Sequence, residues 1–397
     1  MKIGLTLSGG GFRATVFHLG MLARLAQDHH LEDVTILSTV SGGSLCAGLV
    51  YAKSDFRWPS SNHLIDTVIP QARELLTTQD LQLGLFWRAM QSPLKIFDSR
   101  AQFLSELLKK RWGVNAQLRD LPSKPRWIIN ATCYETTKNW RFEQFRMGDY
   151  IFGYSYDTTV PVSDAITASS GFPGLIGALP FDTRGFKWFK YIKPMDDTSL
   201  DPVSITSKTT ESIQPAFPNV HLWDGGVYDN FGLESVVDPL GGWLHGIEFL
   251  IVSDAAGKAS IKAYQPGSAA LLRIITDIMM AQVHDLRSRT VMERIINHKD
   301  AGAFLQTGNT CGHVLTQAGR AREIRDICPQ CLNDEQVTRA ANAPTMIGQL
   351  APDDFELLFR HGFEVADYTL YAYHADQFKH ISYSNSPYGR KNQAAYA

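Results

Sequence analysis

Two stretches near the amino terminus share one grammar, and they constrain the fold more than anything else in the chain. Residues 2–8 (KIGLTLS) read as a short buried strand, and residues 12–27 (FRATVFHLGMLARLAQ) carry apolar side chains at helical spacing. The pattern then repeats: VTILSTVS from Val34 is a second strand, and LCAGLVYAK from Leu45 continues as a helix. Glycines fill both junctions, as Gly9-Gly10-Gly11 and as Gly42-Gly43. Strand, glycine turn, helix, twice in succession, predicts an α/β fold with parallel strands whose turns lie at the strands' carboxyl ends. The expected architecture is a three-layer α/β/α core.

Further elements extend this sheet. RWIINATCYE from Arg126 reads as a strand with WRFEQFRM from Trp140 as its pairing partner, and FLIVSDAAG from Phe249 as a central strand ending in Ser253 and Asp254. The segment 195–217 is rich in Ser, Thr, Asp and Pro and reads as an exposed loop. Beyond Gly257 the character changes. A long helical pattern starts at Ser268, and the remainder to about residue 375 reads as mostly helical. The expected division is a catalytic core over 1–257 and a helical extension over 258–397 packed upon it.

Composition narrows the functional classes. The 397 residues carry a net charge of -2, so no basic excess points to DNA or RNA as a partner. No run approaches the roughly 18 apolar residues of a membrane span. The opening MKIGLTLSGGG lacks the make-up of a signal peptide. The expected location is the cytoplasm, with membrane contact only peripheral. Five cysteines, at 46, 133, 311, 328 and 331, form too odd and sparse a set for a secreted disulfide framework.

The chemistry concentrates at the glycine turns. A serine on a tight strand-to-helix turn exposes its hydroxyl at the sheet's edge, beside a helix amino terminus that favours negative charge. Ser44 is the serine singled out, with small Gly42 and Cys46 two residues to either side; cysteine departs from the usual glycine there. The alternative role for Ser44 is an ordinary helix cap. Acyl transfer also needs amides aimed at an oxyanion, and Gly9, Gly10 and Gly11 are placed to supply them, with Arg13 bracing the loop or adding positive potential. A dinucleotide loop fits poorly, since only Gly9, Gly11 and Ala14 fall near the required spacing. Of the twelve histidines, His18, His221, His245, His361 and His380 among them, none sits in a motif that marks a base. Asp224 does: HLWDGGVYDNFGLE presents it directly before Gly225-Gly226. A solvated turn aspartate is the plain alternative.

Gly-Gly-Gly-Phe-Arg, a Gly-x-Ser turn some thirty residues on, and a distant Asp-Gly-Gly together resemble the patatin-like phospholipases. A fourth match is ITASSGFPGLIG from Ile166, similar to the small-residue run that patatins carry before the aspartate. The resemblance covers roughly residues 1–257 and departs from plant patatins at Cys46 and Ser8. It implies a Ser-Asp dyad acting without histidine, metal or cofactor: Ser44 as nucleophile, Asp224 as base, and Gly9, Gly10 and Gly11 with Arg13 as the oxyanion hole. The implied substrate is a membrane phospholipid. The size and helical extension are compatible with bacterial patatin-like effectors of antiviral defence that are switched on by a cyclic oligonucleotide. Two rivals stand beside this reading: a catalytically silent module binding a nucleotide or anionic headgroup, and a thioesterase or protease with the same dyad.

Three peripheral features complete the expectations. LGLFWRAMQSPLKIF from Leu83 and GFKWFKYIKP from Gly185 mix aromatic residues with Lys and Arg, as segments at a bilayer surface do; their alternatives are a core helix and a β-hairpin. Cys311, His313, Cys328 and Cys331 have a spacing that permits a structural zinc site, the alternative being reduced thiols.

Overall fold

The computed structural model describes residues 1–81, 96–192, 210–257, 263–298 and 300–388. The run from Leu83 therefore lies almost wholly outside the described residues, as does most of the loop from 195. Twelve strands form one mixed sheet: β1 (Ile3–Leu7), β2 (Val34–Thr39), β3 (Arg126–Cys133), β4 (Lys138–Phe142), β5 (Met147–Asp149), β6 (Gly153–Ser155), β7 (Leu179–Asp182), β8 (Trp188–Tyr191), β9 (Thr210–Ile213), β10 (Asn219–Asp224), β11 (Phe249–Asp254) and β12 (Gly302–Gln306). The central five run parallel in the order β12-β11-β1-β2-β3. The remaining strands pair antiparallel, with β10 lying between β3 and β7.

The parallel strands are buried on both faces, which explains why they read as near-continuous apolar runs. On one face, α1 (Gly11–Gln27) and α2 (Gly42–Ala52) cover the sheet. The helix Pro352–His374 packs across α1 at two mutual glycines. A Cβ at Gly20 would stand 2.0 Å from the Phe359 carbonyl oxygen, and one at Gly362 would stand 1.9 Å from that of Phe17. Only glycine permits this approach. On the other face, Ile36, Ile128, Leu250 and Val252 pack with Phe231, with Leu233 and with Val291, the last from the helix Met280–Asn297. The layers are thus helix, sheet, helix.

Three sequence expectations change in detail. The polar segment is not loop throughout, because Thr210–Ile213 pairs with β8 as an edge strand. The stretch from Gly185 contributes β8, with Trp188 buried against Trp140 and Phe152. The C-terminal region is helical except for β12, which extends the central sheet beside β11.

Candidate active site

The site forms where β1 and β2 give way to their helices. β2 ends at Thr39 and α2 begins at Gly42, so the turn residue is Ser41, with φ 49° and ψ -115°. A positive φ at a non-glycine residue costs of order 1–3 kcal/mol and persists only where the surroundings enforce it. Here they do. The Ser41 amide donates to the carbonyl and the hydroxyl oxygen of Ser169, at 3.1 and 3.0 Å. Gly43 donates back to the Val40 and Ser8 carbonyls, at 2.8 and 3.1 Å. Close packing reinforces the turn, since a Cβ at Gly42 would lie 2.4 Å from the Gly11 oxygen and one at Gly43 2.2 Å from the Leu7 oxygen. The strain presents the Ser41 side chain at the edge of the sheet, partly exposed.

Ser44, the serine singled out from sequence, is elsewhere. It is the third residue of α2 and fully buried. Its hydroxyl is 2.8 Å from both Thr39 Oγ1 and Ser169 Oγ. Those partners lie in the packing beneath the turn. The structure buries the hydroxyl expected at the turn and places another serine, Ser41, three residues earlier, at the partly exposed turn position.

Asp224 ends β10 and is buried. Its Oδ1 accepts the Gly226 amide at 2.7 Å. Its Oδ2 is buried without a hydrogen bond of standard geometry, while the Ser41 hydroxyl stands close enough to favour the charged form. Burial dominates and pushes the carboxyl up to about 7, against the opposing pull of the Gly226 amide and Ser41. A carboxylate that exchanges its proton near neutral pH, facing a serine on a strained turn, has the properties of a general base. The Ile166 run ties these parts together. Ser169 holds the Ser41 amide, and the carbonyls of Ser169 and Gly171 accept from Gly225 and Asp224, each at 3.2 Å.

The first glycine turn divides its labour. Gly10 and Gly11 have φ of 142° and 59°. The amides of Gly10, Gly11 and Gly42 donate to no acceptor among the described residues. They lie at the amino termini of α1 and α2, where unsatisfied N–H groups and the helix dipoles attract negative charge. Gly9 does not join them, because its amide donates to the Asn230 carbonyl at 3.2 Å. Gly9 supplies space instead: a Cβ there would sit 2.4 Å from Asn230 Oδ1 and 3.0 Å from Ser41 Cβ. Arg13 is not aimed at an oxyanion either. Its Nε and Nη1 donate to the Ala255 and Ala343 carbonyls at 3.2 and 2.6 Å, so it braces the loop from behind. Burial lowers its pKa, and Asp254 works against that shift. The Met346 carbonyl accepts the Phe12 amide at 2.8 Å, so the segment around Ala343–Met346 supports the glycine loop from the C-terminal region.

Sequence reading missed three residues. Ser41 was signalled by Gly43 two positions on, Gly42 by its place directly after the turn serine, and Asn230 by nothing short of the fold. The four candidate zinc ligands do not come together as a set. The thiols of Cys311, Cys328 and Cys331 gather, and hydrogen bonding with the other two joins burial in raising Cys311. His313 is exposed, however, and no group of three His, Cys, Asp or Glu among the described residues is arranged to hold a metal. No helix of the described residues is long and apolar enough to cross a membrane.

Human GIVD cytosolic phospholipase A2 superposes with a TM-score of 0.51 at 14% identity, over 93% of this chain and 60% of that one. The chain thus spans about 60% of that protein's length. The same human enzyme in complex with methyl gamma-linolenyl fluorophosphonate gives a TM-score of 0.49 at 14% identity, over 94% of this chain and 59% of that one. VipD from Legionella pneumophila gives 0.30 at 12% identity, over 99% and 74%. No curated protein matches in sequence. The model of the family described as "Patatin-like phospholipase" matches residues 5–237, more than half of the chain, a range that includes Ser41, Asp224 and both glycine turns. The chain belongs to the patatin-like phospholipase family.

Proposed function

We propose that the protein hydrolyses fatty-acyl esters of membrane phospholipids through a Ser41–Asp224 dyad. The observation that carries this reading is the pairing of a partly exposed serine at φ 49° with a buried carboxylate whose Oδ2 has no other hydrogen bond. Asp224 Oδ2 takes the proton from Ser41 Oγ as that oxygen attacks the ester carbonyl carbon. The amides of Gly10, Gly11 and Gly42 hold the negative oxygen that forms. The C–O bond then breaks, and the proton on Asp224 passes to the departing alkoxide, releasing the lysolipid. Water, deprotonated by the same carboxylate, attacks the acyl-serine. The fatty acid leaves and Ser41 recovers its proton. The dyad uses neither histidine nor metal, in keeping with His18 lying buried with its pKa lowered to about 4, bonded to Ser253 and the Ser8 carbonyl.

The test is fatty-acid release from phospholipid vesicles by wild type and Ser41→Ala, with thioesters and peptides assayed in parallel. Release by the wild type alone supports the reading. Equal activity of the two removes it and moves the nucleophile elsewhere, and silence of both on every substrate leaves the binding module. A panel of cyclic oligonucleotides belongs in the same assay. Activation by one of them identifies a switch, and no response to any removes the antiviral-effector branch of the proposal.

A further inference from the structure

The helix that leads into Met280–Asn297 begins at Ser268 and runs without a break through a wider π-helical turn, Ile274–Met279. Its later half is anchored. His284 Nε2 lies 3.1 Å from Asp254 Oδ2 at the carboxyl end of β11, Val291 packs under the sheet, and the Arg294 guanidinium sits over the Trp243 ring. From His284 the chain descends to β12, whose first residue Gly302 pairs with Leu250 near the start of β11. The helix therefore runs antiparallel to the strands. Everything before His284 extends past their carboxyl edge, the edge that carries Ser41 and the Gly10–Gly11 amides. At 1.5 Å per residue, the stretch from Ser268 reaches roughly 24 Å beyond it.

That arm is apolar where a soluble protein expects polar residues. Leu271, Ile274, Ile275, Ile278 and Met279 are between 47% and 60% exposed. They recur every three or four positions and so form one stripe. The neighbouring charges cancel, since Arg273 and Asp277 pair at 3.6 Å. Five half-exposed aliphatic side chains present on the order of 400–500 Å² of apolar surface, the size of the largest patch on a typical monomer, which is often functional. This falls short of the ~800 Å² per partner that a stable protein interface buries. A bilayer demands no complementary shape. It needs apolar side chains that reach about 5–10 Å past the headgroups, and the arm is long enough for that.

We propose that residues 268–280 form a membrane-docking arm that inserts its apolar stripe into a phospholipid bilayer and holds the Ser41 edge of the sheet against it. The inference rests on the lipid-hydrolase reading only for what the bilayer supplies, namely substrate. Docking itself is independent of catalysis.

The test compares wild type, Ser41→Ala and the combined variant Leu271→Gln, Ile275→Gln, Ile278→Gln. Cosedimentation with vesicles of phosphatidylcholine containing a quarter phosphatidylglycerol reads docking, and the thermal midpoint reads folding. Hydrolysis of a soluble short-chain ester reads the site. Because the three positions face solvent, the variant is expected to keep its midpoint and its soluble-ester rate while partitioning at least tenfold less onto vesicles. Its release of fatty acid from vesicles falls by a similar factor. Ser41→Ala is expected to dock like the wild type. The proposal is overturned if the triple variant and wild type partition equally, or if the wild type does not partition at all. It is also overturned if the wild type forms a dimer that the variant breaks, for then the stripe seats a second copy. Loss of all ester hydrolysis in the wild type would sink the dyad reading, whereas the partition result would still decide the arm.

Discussion

The turns after β1 and β2 are neighbours in the sheet and built to one plan, yet they do opposite things. Each takes the chain from the carboxyl end of a parallel strand into a helix within a few residues, through positive φ. After β1, the residues at positive φ are glycines, and the product is a pair of bare amides. After β2, the residue at positive φ is Ser41, and the product is a presented hydroxyl. Positive φ is thus used once, without strain, to clear side chains away and once, at the cost of strain, to display one. The difference lies in what supports each turn. Ser169, at the end of the helix Val162–Ser169, holds the serine turn, whereas the glycine turn is held by Arg13 reaching the Ala255 and Ala343 carbonyls and by the Met346 carbonyl.

The comparison breaks most sharply at Ser41. Ser41→Ala is expected to lower ester hydrolysis by about 10³-fold or more, as removal of a nucleophile does. Ser41→Gly should be equally inactive but more stable by about 1 kcal/mol, because glycine accepts φ 49° without strain. A chemical-denaturation series on the two variants reads this. Equal stability would mean that the turn stores no strain.

Asp224 comes next. Its carboxyl must be deprotonated to act as base, so kcat is expected to rise with pH through about 7. The stability consequence has the opposite sign. A carboxyl whose pKa is raised on folding contributes stability that is fully present below its unfolded value near 4 and is lost as pH rises through about 7. Asp224→Asn carries no such charge. It is expected to lose about 10²–10⁴-fold in kcat while gaining stability over the wild type, by about 1–4 kcal/mol at pH 8. Thermal midpoints of the pair from pH 4 to pH 9 check it, and parallel curves would show that the carboxyl titrates normally.

Gly11→Ala probes the other turn. The residue sits at φ 59°, and a Cβ would lie 2.6 Å from the Met346 carbonyl oxygen. The methyl would push the supporting segment away and tilt the Gly10 and Gly11 amides, which the proposed mechanism aims at the oxyanion. A loss of about 10–100-fold in kcat is expected, with KM little changed, since the oxyanion exists only in the transition state. A change confined to KM would place the loop in substrate binding instead.

What was legible in the sequence follows from the range of each interaction. The two βα turns could be read because glycine, strand and helix signals are contiguous there. The Asp224 turn could be read because its glycines follow it directly, and one of them is tied to it: a Cβ at Gly226 would stand 3.0 Å from Asp224 Oδ1. The choice of serine was not legible. Thr39-Val-Ser41-Gly-Gly43 and Gly42-Gly-Ser44-Leu-Cys46 each place one glycine at the right offset, and only the end of β2 at Thr39 decides between them. Strand ends are the least readable feature of a sequence. The engaged Gly9 amide, the bracing role of Arg13 and the Met346 contact depend on residues more than 200 positions away, which leave no local trace. The edge strand Thr210–Ile213 escaped because its polar, half-exposed residues lack the alternation of a buried face.

Ser44→Ala is the smallest change and the one that sharpens the comparison most. It lies three residues from Ser41, in the helix that Ser41 precedes, and is also bonded within the network of Ser169. Removing its hydroxyl takes one partner each from Thr39 and Ser169. Neither is orphaned: Thr39 Oγ1 still accepts the Trp127 indole N–H at 2.9 Å, and Ser169 Oγ still accepts the Ser41 amide at 3.0 Å. The expected cost is therefore about 1 kcal/mol of stability, with kcat unchanged to within about threefold. Were Ser44→Ala inactive and Ser41→Ala active, the strained turn would serve only to shape the entry to α2, and the nucleophile would have to reach substrate from inside the packed layer. Were both inactive and both stable, the Thr39–Ser44–Ser169 chain would be positioning Ser41 through Ser169, and a Ser169→Ala variant would reproduce the loss without touching either serine.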